Sequence, residues 1–217
     1  MSDVEKGAVQ ANPMPRSTLP PRRLGNPAPL GLFAFATTTL ILSLYNVNAR
    51  GISVPNVVVG MALFYGGLAQ FLAGMWEFAC GNTFGATAFS SYGGFWLSYA
   101  TIFIPSSGIV DAFNTHPPAM FASAVGIYLM AWMTVTFLFL IASLRRSIAF
   151  IALFGFLTIT FMLLGAGFFT ANDHITIGGG AFGIVTALVA YYIGTADLLE
   201  NDGIVVLPLG AFKARTA

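Results

Sequence analysis

Two stretches of this chain, residues 119–143 and 148–170, run for 25 and 23 residues without a charged side chain. At 1.5 Å of rise per residue, a helix of either length crosses the ~30 Å hydrocarbon core of a bilayer. Only four residues separate the two runs, and two of these are Arg145 and Arg146. Composition points the same way. Charged residues make up 8% of the chain and hydrophobic ones 57%, against about 25% charged in an ordinary soluble domain. The chain reads as an integral membrane protein.

Four further apolar runs, near 29–47, 55–78, 83–104 and 178–196, bring the predicted spans to six. Backbone polar groups in lipid must be satisfied within the segment or in a closed barrel, and barrel strands would be shorter and would alternate. The expected fold is therefore all-α, a six-transmembrane-helix bundle. Basic residues orient it. If the spans alternate, Lys6, Arg16, Arg22, Arg23, Arg145, Arg146, Lys213 and Arg215 share one side and only Arg50 falls on the other. That excess marks the cytoplasmic side and puts both termini there. Residues 1–24 are polar and proline-rich with no apolar core, so they read as a disordered cytoplasmic tail rather than a signal or transit peptide. Residues 25–200 form the six-helix transmembrane domain, and 201–217 a cytoplasmic C-terminal tail. The net charge of +1 gives nucleic acid no basis as a partner, and membrane lipid is the expected surroundings. Cys80, the lone cysteine, has no internal disulfide partner and reads as a small residue near a helix end.

The first span opens on Asn26-Pro27-Ala28-Pro29. Asn26 is a good N-cap, Pro27 suits the first helical position where its missing N–H costs nothing, and Pro29 still lies in the first turn. Free N–H groups and the positive end of the helix dipole at this doorway are a place where a carboxylate could be held, although a plain helix cap explains the same residues. Glu77 is the only acidic residue well inside a predicted span, one turn before Gly81–Asn82. Intramembrane acids are functional candidates by default, but at this depth Glu77 could equally anchor the short turn. Gly60, Gly67, Gly74 and Gly81 recur every seven residues and form a smooth stripe suited to close helix packing, or to widening a path. His116 and His174 fall in outer loops near Asp111 and Asp173, as solvated histidines or as sensors of external acidity. No second His or Cys stands at ligand spacing, so no metal is expected. No catalytic or nucleotide fingerprint occurs, and Gly178-Gly179-Gly180 reads as a flexible start to the sixth span, so neither an enzyme nor a cofactor is expected.

The block Asn26-Pro27-Ala28-Pro29-Leu30-Gly31-Leu32 resembles the signature of the acetate uptake transporter family, of fungal acetate permeases and bacterial succinate–acetate permeases. Phe64-Tyr65-Gly66-Gly67 with Gln70, then Gly81-Asn82-Thr83-Phe84-Gly85, then Ser91-Tyr92-Gly93 and Phe95-Trp96-Leu97 follow at compatible spacing. The long N-terminal tail is similar to fungal members. The resemblance implies a six-helix protomer assembled as a homo-hexamer in the plasma membrane, with a path for acetate and sometimes succinate through each protomer. It implies an apolar and aromatic constriction at Phe35, Tyr92 and Leu157, and a position tied to substrate size at Ala190.

No Lys or Arg lies within the predicted spans, and a carboxyl group of pKa about 4 is almost all anion at pH 7. Such an anion needs water, hydroxyls, amides or helix ends along its way, or it must cross protonated. Asn26, Asn82, Thr83 and Tyr92 are the polar groups on offer. The expected function is passage of acetate and similar small monocarboxylates, as a channel or proton-linked carrier. The alternatives are ammonium or ammonia transport, and a membrane acetate sensor.

Overall fold

The computed structural model describes residues 24–212, so most of the expected N-terminal tail and residues 213–217 lie outside the described residues. Six helices carry the described chain: α1 Ala28–Asn46, α2 Val58–Ala79, α3 Thr83–Phe103, α4 Pro118–Ser143, α5 Ile148–Thr170 and α6 Asp173–Asn201. Five are long and apolar enough to cross a membrane. The exception, α3, has 21 residues and the length to cross, but its sequence is diluted by threonines, serines and glycines. The protein is a multi-pass membrane protein, all-helical among the described residues apart from one isolated bridge between Ser147 and Ala211.

Two segments differ from expectation. The sixth span is longer than 178–196, because Asn172 accepts the His174 N–H at 3.0 Å and starts α6 at Asp173. Gly178-Gly179-Gly180 is consequently not a flexible start but lies inside the helix. Gly179 packs on Leu164 of α5 and Gly180 on Ser43 and Asn46 of α1, so the glycines let three helices close together. The second correction concerns α2, which is α-helical over Val58–Leu63, π-helical over Phe64–Ala69 and α-helical again over Gln70–Ala79. A π-turn inserts a residue into the ladder and re-aims everything after it. Its Gly66 sits where a Cβ would stand 2.8 Å from the Thr38 Cβ of α1. Of the seven-residue glycine stripe, Gly67 and Gly74 pack on α3, whereas Gly60 has nothing nearby and Gly81 takes the left-handed conformation (φ 81°) that turns α2 into α3.

Packing runs α2–α1–α6–α5–α4, with α3 laid on α2. On its other side α3 reaches α4 and α5 mainly through rings. Tyr92 stands 6.2 Å from Trp132, 5.8 Å from Phe139 and 6.4 Å from Phe154, and Phe95 stands 5.2 Å from both Trp132 and Phe161. Aromatic side chains bridge a wider gap than aliphatic ones, which leaves room between the helices.

The expected C-terminal tail is only partly a tail. Past α6 the chain turns back on the α4–α5 turn, where Gly210 and Leu209 carbonyls accept the Ile148 and Ala149 N–H groups at 3.0 and 3.1 Å. The Phe212 N–H in turn donates to the Arg146 carbonyl at 3.2 Å. With the Ser147 hydroxyl oxygen accepting from Phe150 N–H at 3.3 Å, the first three donors of α5 are all satisfied.

Candidate functional site

Two cavities enter the bundle from opposite ends. The lower, about 420 Å³, opens where α1 begins, α2 turns into α3, α4 turns into α5 and α6 ends. The upper, about 430 Å³, opens among Asn46, Pro55, Phe103 and Asp173. Phe35 and Leu157 line both. These two side chains form the partition, and Tyr92 of the lower wall stands against it with its ring centroid 5.4 Å from that of Phe35. All three are buried, at 5%, 3% and 3% exposure.

Helical geometry explains the placement. Phe35 is nine residues beyond Asn26, roughly 13 Å along α1, which carries it from the lower mouth to the partition. Tyr92 lies mid-way along α3. Its hydroxyl donates to Thr136 Oγ1 at 3.0 Å, and Thr136 donates onward to the Trp132 carbonyl at 2.8 Å. The phenol is thereby committed to the wall.

Polar satisfaction distinguishes the cavity walls from the rest of the interior. Five buried side-chain polar atoms among the described residues lack a hydrogen-bond partner: Thr39 Oγ1, both amide atoms of Gln70, Glu77 Oε1 and Trp96 Nε1. Gln70 and Glu77 line the lower cavity, Thr39 and Trp96 the upper. Buried polar groups are normally paired, so walls of this kind suit water or a polar solute.

Glu77 is placed both at the turn and on the cavity wall. Its Oε2 accepts from Asn82 Nδ2 at 2.8 Å, while Asn82 Oδ1 accepts the Gly85 N–H at 3.2 Å and caps α3. The carboxyl therefore holds the turn, and it also lines the lower cavity.

The structure gathers Asn26, Phe35, Glu77, Asn82, Tyr92 and Leu157 around the lower cavity. It does not bring Pro27, Pro29, Thr83 or Ala190 to that wall. Asn26 stands one residue before the cap: Pro27 is the N-cap, and Asn26 Oδ1 accepts the Ala28 N–H at 3.0 Å. With the Ala28 N–H taken by Asn26 and Pro29 lacking one, the first two helical positions offer no free donor. Thr83 is exposed, its carbonyl accepting from the Thr87 hydroxyl at 2.7 Å. Ala190 is fully buried in α6.

Among the wall residues to which sequence reasoning gave no part in the site are Thr39, Gln70, Trp96, Arg146, Asp197 and Glu200. Gln70 carried a readable signal, an amide two helical turns before Glu77 and so on the same face. Arg146 carried none, because it lies outside every span and reaches the lower cavity only through the shape of the α4–α5 turn. The lower cavity so carries three carboxylates, Glu77, Asp197 and Glu200, and one guanidinium.

The sequence profile of the GPR1/FUN34/yaaH family matches residues 7–212. The chain is 48% identical over 192 residues to the glyoxylate pathway regulator of Yarrowia lipolytica, covering 88% of this chain and 70% of that protein. It is 43% identical over 201 residues to acetate permease A of Emericella nidulans, covering 88% and 67%. The solved structure of the bacterial acetate channel SatP superposes with a TM-score of 0.76 at 38% identity, over 87% of this chain and 100% of that one.

Proposed function

This chain belongs to the GPR1/FUN34/yaaH family, and from that premise we propose that it carries acetate and similar small monocarboxylates across the membrane. The path runs through each protomer and narrows at Phe35, Tyr92 and Leu157. The observation that carries this reading is the pair of cavities meeting at one apolar partition, with every unpartnered buried polar atom of the described residues on their walls. The fold likeness to the acetate channel SatP and the identity with acetate permease A support the choice of solute. The reading includes a homo-hexamer in the plasma membrane with both termini cytoplasmic, and it assigns the protein no chemical step.

The walls favour help from a proton. A bare carboxylate at the partition would meet two hydrocarbon side chains and a phenol already bonded to Thr136, and in the lower cavity three carboxylates against one guanidinium. Stripping water from an ion without a partner costs far more than stripping it from a neutral acid. The neutral form crosses the partition more cheaply, and the anion re-forms in the cavity beyond.

Uptake of labelled acetate by purified protein in liposomes, with and without an imposed pH gradient and against empty liposomes, tests the reading. Protein-dependent uptake inhibited by excess acetate but not by methylammonium is the expected result. Accumulation above equilibrium only with the gradient marks a coupled carrier, and faster equilibration alone marks a channel. No uptake above empty liposomes overturns the proposal.

A further inference from the structure

We propose that Arg146 is the side chain that meets the substrate carboxylate at the lower mouth, and that residues 208–212 are the brace that holds it there. The inference rests on the carboxylate reading above.

The Arg146 guanidinium carbon lies 3.9 Å from the centroid of the Phe84 ring. Phe84 is itself fixed edge-on against Phe139, Phe150 and Phe154, with centroids 5.9, 6.2 and 5.7 Å away. The cation therefore rests on a rigid ring at the cavity wall. Among the described residues the guanidinium forms no ion pair within 4.0 Å, and Glu77 is the carboxylate whose charge acts on it across the cavity. Arg146 lines the lower cavity, and its donors form a planar fork that fits a carboxylate.

The nearest backbone donors, those of α5, are spent. The first three N–H groups of α5 go to Gly210, Leu209 and the Ser147 side chain. The brace acts on the backbone: Phe212 N–H binds the Arg146 carbonyl, and the Tyr192 hydroxyl donates to the Pro208 carbonyl at 2.8 Å, tying the segment to α6. Gly210 is needed for that path, with φ 65° and room for a Cβ only 3.0 Å from Ile148.

The charged groups sharing this cavity are Glu77 from α2 and Asp197 and Glu200 from α6. An acid with one carboxylate finds one cation. A second carboxylate on the same molecule would face like charge, so the mouth selects monocarboxylates.

The test is equilibrium exchange of labelled acetate across liposomes holding the full chain, which visits both mouths whichever way the protein inserts. Arg146→Gln should raise the half-saturating acetate concentration about tenfold, the scale of one charge-assisted hydrogen bond, with the maximal rate held within about twofold. Arg146→Lys should recover most of the loss, and Gly210→Val should move half-saturation in the same direction by a smaller factor. Independently of transport, modification of Arg146 by phenylglyoxal, followed peptide by peptide in the wild-type protein, should be slowed by acetate and not by chloride at equal ionic strength. Unchanged half-saturation in Arg146→Gln, or labelling indifferent to acetate, overturns the inference. Absence of exchange by the wild-type protein would instead overturn the transport reading itself.

Discussion

The direction of the hydrogen bonds around Tyr92 makes a prediction that a contact list without donors and acceptors would miss. Tyr92 donates to Thr136, and Thr136 donates to the Trp132 carbonyl. In Tyr92→Phe the Thr136 hydroxyl keeps its own acceptor, so only one net hydrogen bond disappears. Such bonds between membrane helices average about 0.6 kcal/mol and reach about 1.7. In Thr136→Val the Tyr92 hydroxyl stays behind, 3% exposed and with no acceptor in the structure. An orphaned buried donor costs about 1–3 kcal/mol. At roughly 2–4 °C per kcal/mol for a chain of this size, the phenylalanine variant should melt about 2 °C below wild type and the valine variant several degrees below it. The double variant has no orphan, so it should melt near Tyr92→Phe alone and above Thr136→Val. Thermal midpoints of the purified protein in detergent measure all three. A Tyr92→Phe variant less stable than Thr136→Val, or additive losses in the double variant, would refute the bonding scheme. Transport supplies a second readout: with the phenol committed to the wall, Tyr92→Phe should exchange acetate within about twofold of wild type, far less than the loss expected for a direct hydrogen bond to the solute.

Three other outcomes follow from the same geometry. Phe35→Ala or Leu157→Ala should join the two cavities and speed acetate equilibration in liposomes, admitting larger acids, while lowering stability by about 2–5 kcal/mol; unchanged rates and selectivity would remove these side chains from the partition. Glu77→Gln keeps an acceptor for Asn82, so assembly should persist while uptake falls or its dependence on pH changes; wild-type uptake at every pH would leave Glu77 only its part in the turn. Gly74→Val would drive a side chain to within 2.5 Å of the Ser90 backbone nitrogen, so size-exclusion chromatography should show loss of the folded protein, and a well-folded variant would contradict the α2–α3 contact.

How much of this was legible beforehand depended on whether a feature is local. Residues 119–143 and 148–170 announce helices because each satisfies its backbone by itself, and α4 and α5 match them to within a residue. The third span was found by length despite its threonines and serines, since hydropathy averages over faces that do different work. The π-turn at Phe64–Ala69 was invisible, because its Gly66 packs against Thr38 of another helix, a contact that no local stretch of sequence shows. The glycine triplet before the sixth span misled for the related reason that Gly180 serves a contact with α1, more than a hundred positions earlier in the chain.

The candidate site divides along the same line, and the division bears on function. Glu77 could be picked from the sequence because an acid at membrane depth stands out when residues are counted along one helix, whereas Phe35 rested on the family resemblance, a phenylalanine in a span being ordinary packing by itself. Arg146 could not be picked, since its position is set by a turn, by Phe84 and by a C-terminal segment some sixty residues later. Yet Arg146 changes the electrostatics most: without it the lower cavity would hold three carboxylates and no cation. A path lined so would repel the anion it is proposed to carry, and only the neutral acid would enter from below. With Arg146 present, the anion has one partner at the mouth and none at the partition. The two species then divide the path between them, the anion in the lower vestibule and the neutral acid across Phe35, Tyr92 and Leu157. On that account an Arg146→Gln variant should not merely bind acetate more weakly but should also lean harder on acid pH, since it leaves protonation as the cheaper way into the lower cavity.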